Sequence, residues 1–120
     1  MGNPIVHFEI NGKDGPRLIE FYRQLFGWKI DNSNPMGYGL VDTETPEGVG
    51  GGISGDSEPG VGFYVGVADL DATLKAAERM GGRVVTPITT IPGMVTMAQF
   101  ADPEGNVIGL VDASGPPPAE

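Results

Sequence analysis

Pro4-Ile5-Val6-His7-Phe8-Glu9-Ile10 and Pro59-Gly60-Val61-Gly62-Phe63-Tyr64-Val65 are the two stretches on which the fold turns, because a shift of 55 positions lays one on the other. Pro4 falls on Pro59, Val6 on Val61, Phe8 on Phe63 and Ile10 on Val65. Working outward with the same shift, Asp14 meets Asp69, Ile19 meets Leu74, Gly27 meets Gly82 and Ile30 meets Val85. Further on, Gly50 meets Gly105 and Ile53 meets Ile108. One ungapped offset thus aligns a strand, a helix cap, a helix and a glycine stop, which is the mark of an internal duplication.

Each half reads as βαβββ. Ile5 to Ile10 alternates, with Val6, Phe8 and Ile10 on one side and His7 and Glu9 on the other. Asp14 or Gly15 can cap a helix from about Pro16 to Phe26, with Leu18, Phe21, Tyr22 and Leu25 as its buried stripe and Gly27 as its stop. Strands are expected over 28–32, 38–44 and 49–54. In the second half, 61–67 is a strand and Asp69 caps a helix to about Met80, with Leu70, Leu74 and Ala77 inward and Asp71 paired to Lys75. Strands over 83–90, 95–101 and 107–112 complete it, the last two joined by the tight turn Asp102-Pro103-Glu104-Gly105-Asn106. The expected fold is therefore α+β: two tandem βαβββ modules, about 4–55 and 59–112, forming a curved eight-stranded mixed sheet with two helices on the convex side. Residues 1–113 make one domain and 114–120 a flexible tail. The helix-free side of such a sheet is a trough suited to a small ligand.

Composition narrows the partners. Seven basic residues against 16 acidic ones give a formal charge of −9, with no basic stripe for phosphates, so neither nucleic acid nor an anionic membrane is an expected partner. There is no cysteine, which removes disulfides, thiolate metal sites and a thiol nucleophile. No apolar run could span a bilayer and no secretion signal is visible, so the cytoplasm is expected. Val49-Gly50-Gly51-Gly52-Ile53 lacks the Lys and Ser/Thr of a phosphate loop, and bare backbone there would widen the trough.

Three motifs carry a family resemblance: Val6-His7-Phe8-Glu9-Ile10, Phe21-Tyr22-Arg23-Gln24-Leu25-Phe26-Gly27-Trp28, and Asp102-Pro103-Glu104-Gly105-Asn106. Over residues 4–113 the chain resembles the vicinal oxygen chelate superfamily, which includes glyoxalase I, extradiol dioxygenases, methylmalonyl-CoA epimerase and bleomycin-binding proteins. The resemblance implies a divalent metal held by four side chains, one from the first and last strand of each module. Carried over, those positions fall at His7, Gly62, Ser54 and Gly109. Glycine offers no donor and serine a poor one, so the family metal is expected to be absent and no cofactor is expected.

The expected function is that of a glyoxalase-like protein binding a small organic molecule without metal, in the bleomycin-resistance manner. Its ligand would be held by His7, Glu9, Tyr64, Met97 and Gln99. The alternative is a lyase, isomerase or dioxygenase of the same superfamily, metal-dependent or using His7 and Glu9 as an acid–base pair. A homodimer is implied by the resemblance.

Overall fold

In the computed structural model, which describes residues 2–115, the chain is α+β, with eight strands and two helices. Its elements run β1 (Ile5–Asn11), α1 (Gly15–Phe26), β2 (Lys29–Asp31), β3 (Gly39–Asp42), β4 (Gly51–Ser54), β5 (Gly60–Val67), α2 (Leu70–Arg79), β6 (Arg83–Ile91), β7 (Val95–Ala101) and β8 (Val107–Asp112). This is βαβββ twice, as the duplication predicts. The chain divides into two compact units, Val6–Phe63 and Tyr64 onward together with the N-terminal residues through Ile5.

In the Val6–Phe63 unit the strand order is β2-β3-β4-β1. β1 and β4 run parallel and the other neighbours antiparallel. Helix α1 begins where the side chain of Asp14 accepts from the Arg17 amide at 3.1 Å and Pro16 sets the first turn. It ends at Gly27, whose φ of 69° is left-handed and whose amide donates to the Arg23 carbonyl. The core of this unit is Ile19, Ile30, Val41 and Ile53, with Phe8, Ile10, Leu18, Tyr22 and Trp28 packed against it. Trp28 anchors an aromatic group, its ring 5.4 Å from Phe8, 5.5 Å from Tyr22 and 5.1 Å from Phe26.

The inward stripe of α1 differs from expectation. Ile19 is its most buried residue, while Phe21 and Leu25 are 55% and 57% exposed. Six of the nine residues from Leu18 to Phe26 are apolar, so the pattern alone leaves the stripe's centre undecided. Contact with Ile30, Val41 and Ile53 fixes it on Ile19.

The second unit has strand order β5-β8-β7-β6, with β5 and β8 parallel and β8, β7 and β6 antiparallel. Asp69 caps α2 by accepting from the Ala72 amide at 3.0 Å, and Lys75 meets Asp71 at 3.0 Å on the solvent side. Val67, Leu70, Leu74, Ala98 and Leu110 form the core, with Val65, Val84 and Phe100 against it. The 102–106 turn is tied by the Asp102 carboxylate, which accepts from the Glu104 and Asn106 amides and the Asn106 side chain, each at 2.9 Å. The same bonds hold that carboxyl below the usual carboxylate range.

Hydrogen-bond register corrects the ungapped duplication. Ile10 sits opposite Ile53, and Val65 opposite Leu110. The first strands and caps keep the shift of 55, but the last strands are equivalent at a shift of 57. Gly52 therefore corresponds to Gly109, and Ile53 to Leu110, both 2% exposed or less. Ser54 corresponds to Val111 rather than to Gly109. Of the expected tail, Ser114 and Gly115 bond back to Asp112, and 116–120 lie outside the described residues. Among the described residues no helix is long and apolar enough to cross a membrane.

Candidate functional site

Phe8 and Ile10 face α1 and its core, so the alternation of β1 places His7 and Glu9 on the opposite, helix-free face of the Val6–Phe63 unit. The register continues this face across the sheet: Glu9 lies beside Gly52, and Gly52 beside Leu40. Tyr38 precedes Leu40 by two residues and joins the same face.

Tyr38 is held from three sides. Asn34 clamps its backbone: the side-chain oxygen accepts from the Tyr38 amide at 3.0 Å and from the Met36 amide at 3.1 Å, while the side-chain nitrogen donates to the Tyr38 carbonyl at 2.6 Å. The Tyr38 hydroxyl shares a 2.8 Å hydrogen bond with His7 Nε2, the donor set by the imidazole tautomer. Beneath it, Gly52 leaves the room: a Cβ built there would overlap the phenol oxygen and Cζ. Burial pushes the His7 pKa below its ordinary value of 6.5, so the imidazole is neutral at pH 7.

In the second unit a row of residues in register crosses the face opposite Val67, Ala98 and Leu110: Tyr64, Gly109, Gln99 and Thr86. The Tyr64 ring lies against Gly109, where a Cβ would overlap its edge and stand 2.7 Å from its Cγ. Thr86 donates to the Gln99 side-chain oxygen at 2.7 Å. Irregularities in the β6/β7 pairing on both sides of Thr86 bring it to this position. Met97 lies two residues from Gln99 on the same face, beside Val111.

Of the residues singled out from sequence, His7 and Glu9 thus share a face with Gly52 in one unit, and Tyr64, Met97 and Gln99 share a face with Gly109 in the other. Tyr38, Asn34 and Thr86 were not foreseen as parts of either. Nothing in the duplication marks Tyr38, whose counterpart at the shift of 55 is Gly93. An Asn-Pro turn three residues before an aromatic strand start is the one local signal.

The residues at the family's ligand positions do not fit a divalent ion. Gly62, Gly109 and the register-corrected Gly52 carry no donor, and Ser54 turns its hydroxyl to the Gly55 carbonyl at 3.1 Å. Phenol rings lie where side chains at Gly52 and Gly109 would project. Among the described residues no three His, Asp or Glu side chains gather as a metal group.

Comparison with known proteins agrees with this architecture. A glyoxylase-like domain-containing protein of Didymella fabae is 27% identical over 92% of this chain and 98% of its own length. A candidate glyoxylase of Mycobacterium bovis, CFP32, is 31% identical over 88% of this chain, which spans only 44% of that longer protein. Among solved structures, Streptomyces coelicolor methylmalonyl-CoA epimerase in complex with 2-nitronate-propionyl-CoA superposes with a TM-score of 0.63, at 20% identity, covering 94% of this chain and 99% of that one. A structure described as an NAD-dependent benzaldehyde dehydrogenase from Legionella pneumophila gives a TM-score of 0.66 at 13% identity, covering 88% and 96%. At such identities these structures share the fold. The family model of the Glyoxalase/Bleomycin resistance protein/Dioxygenase superfamily matches residues 4–110, and the chain, with its two βαβββ units, belongs to that superfamily.

Proposed function

We propose that this protein binds a small organic molecule on its helix-free surface without the help of a metal ion. The observation that carries this reading is the pairing of a glycine with a tyrosine in each unit, Gly52 with Tyr38 and Gly109 with Tyr64. Where coordination would need a carboxylate or imidazole, each unit offers an aromatic ring with a hydroxyl. In the Val6–Phe63 unit the ring shares its face with the imidazole of His7 and the carboxylate of Glu9, and in the other unit with the amide of Gln99 and the thioether of Met97. Such a set recognises shape and hydrogen bonds rather than drawing electrons from a substrate.

The test is native mass spectrometry of the purified protein, followed by thermal shift against a metabolite panel with and without EDTA. At a ligand concentration a hundredfold above Kd, binding adds about 2.7 kcal/mol to stability, which moves the melting temperature by several degrees. The expected result is a shift that EDTA leaves unchanged. Stoichiometric Zn, Ni, Mn or Fe that disappears in His7→Ala would overturn the reading.

One observation favours a second reading, a metal-free isomerase or lyase. Burial keeps His7 in its base form at pH 7, two residues from a carboxylate on the same strand face. That reading expects solvent deuterium to enter an acyl-CoA thioester at the α-carbon. The incorporation would be lost in both His7→Ala and Glu9→Gln. No incorporation in the wild type rejects α-proton chemistry on that substrate class.

A further inference from the structure

Strand β6 departs from regular pairing twice within its nine residues, and the two departures bracket Thr86. Arg83 faces Ala101 and Val84 faces Phe100, so a regular ladder would set Val85 opposite Gln99; Thr86 stands there instead. Continued regularly from Thr86, the ladder would set Ile88 opposite Met97, and Thr89 stands there. Each irregularity gives up regular pairing and puts a threonine where an aliphatic side chain would lie. What the first one gains is the 2.7 Å hydrogen bond from the Thr86 hydroxyl to the Gln99 side-chain oxygen.

The consequence for Gln99 is chemical. A carboxamide accepts at its oxygen and donates two protons from its nitrogen. Thr86 engages the oxygen, and among the described residues this is the one hydrogen bond of the Gln99 side chain. No side-chain nitrogen or oxygen there is both sealed from solvent and unpartnered, so solvent reaches the amide nitrogen of the half-buried Gln99. The bond to Thr86 thus uses the acceptor end of the carboxamide inside the protein and leaves the donor end for a group from outside. Its surroundings on the same face are Gly109, which adds no side chain, and the half-buried Met97 and Val111, which are apolar.

We propose that Gln99 donates a hydrogen bond to a carbonyl oxygen of the ligand, that Thr86 is its positioning residue, and that the ligand is an uncharged carbonyl compound with an apolar body along Met97 and Val111. The inference rests on the small-molecule reading above and names the group that is recognised. A neutral donor on a chain of net charge −9 favours a carbonyl over a carboxylate or phosphate. A donor so placed also discriminates against a ligand of the same shape that has no acceptor, because the amide would lose its water and gain no partner.

The experiment compares acetophenone with α-methylstyrene, which replaces the carbonyl oxygen by a methylene group and keeps the shape. Gln24 and Gln99 are the two glutamines, so the side-chain amide signals missing from the NMR spectrum of Gln99→Met assign those of Gln99. Acetophenone is expected to move the Gln99 signals saturably, leave those of Gln24 in place and bind roughly fivefold more tightly than α-methylstyrene. In Gln99→Met the two affinities are expected to become equal. Thr86→Val, which keeps the shape and loses the hydroxyl, should lower the preference to roughly twofold, and Thr86→Ser should restore it. A purely structural role for Thr86 would change both affinities alike and leave their ratio intact. Denaturation curves establish that each variant is folded, and the wild-type contrast with the two Thr86 variants decides the matter if Gln99→Met is not.

Equal binding of the two probes to wild type overturns the assignment of Gln99, and an unchanged ratio in folded Thr86→Val overturns that of Thr86. Where neither probe binds but a metabolite of the panel does, weaker binding in Gln99→Met supports the assignment. An equal rise in melting temperature in wild type and Gln99→Met sinks it and leaves the binding function standing. If neither the probes nor any metabolite binds, both fall.

Discussion

Replacing Gly52 by alanine asks directly whether Tyr38 lies where the structure places it. Ordinary van der Waals contact begins near 3.4 Å, and the new methyl would overlap the phenol oxygen, so the hydroxyl must retreat by about 2 Å. That distance takes it out of hydrogen-bond range of His7 Nε2, now at 2.8 Å. The lost bond costs about 0.5–1.5 kcal/mol. Removing a glycine from a strand interior returns roughly 0.5–1 kcal/mol. The two nearly cancel, so guanidinium denaturation should place Gly52→Ala within about 1 kcal/mol of wild type. The site should change much more than the stability. With the phenol displaced, water reaches the imidazole and the His7 pKa rises toward 6.5, which one NMR titration of the single histidine reads. Gly109→Ala is the internal contrast. There the clash includes Tyr64 Cγ at 2.7 Å, at the root of the ring, so a swing of the ring tip cannot relieve it. Overpacking of this kind costs about 1–3 kcal/mol and outweighs the backbone gain. If Gly52→Ala left the His7 titration unchanged, or cost more than Gly109→Ala, the placement of Tyr38 over Gly52 would be wrong.

Other consequences are simpler to check. Ile53 is fully buried between α1 and its neighbouring strands, and Ile53→Ala should cost about 2–5 kcal/mol by chemical denaturation. Asp14→Ala and Asp69→Ala each remove a cap bond and should cost about 1 kcal/mol, whereas Asp71→Ala on the exposed pair with Lys75 should cost less than about 0.5 kcal/mol. The folded pKa of His7 lies below 6.5, so the unfolded chain binds more protons in the interval between the two values. This contribution makes stability fall as the pH drops through 6.5 and level off below the folded pKa. His7→Gln should flatten that limb in denaturation curves taken from about pH 7.5 to pH 5.

Local chemistry made most of the fold legible. Asp14 and Asp69 cap helices because a short carboxylate can reach the orphan amides of a first turn, and that requirement is visible in one residue. Gly27 ends α1 for an equally local reason, its left-handed φ. The alternation in β1 sorts Phe8 and Ile10 from His7 and Glu9 without any partner strand. The stripe of α1 is a different case, since Leu18, Ile19, Phe21, Tyr22, Leu25 and Phe26 girdle much of the helix. Which of them turns inward depends on side chains 11 to 34 residues away from Ile19, at Ile30, Val41 and Ile53.

The site was less legible because it depends on register, which counting along the chain does not supply. Gly50 over Gly105 and Ile53 over Ile108 looked like continuations of the duplication, yet hydrogen bonding pairs Ile10 with Ile53 and Val65 with Leu110. The two extra residues in the second half lie between the end of the helix and the last strand, where turns absorb length at little cost. Burial on one sheet face excludes a slip of one residue, which would turn Ile53 outward. A slip of two keeps every side chain on its face, so burial does not exclude it, and it is how Ser54 stands in for Gly52; only the pairing of Ile10 with Ile53 and of Val65 with Leu110 decides. Tyr38 follows from the same logic. Its position depends on the space above Gly52, on an Asn34 clamp and on a hydrogen bond to a residue 31 positions earlier. Each is an ordinary residue by itself, and only the register of β3, β4 and β1 brings them together.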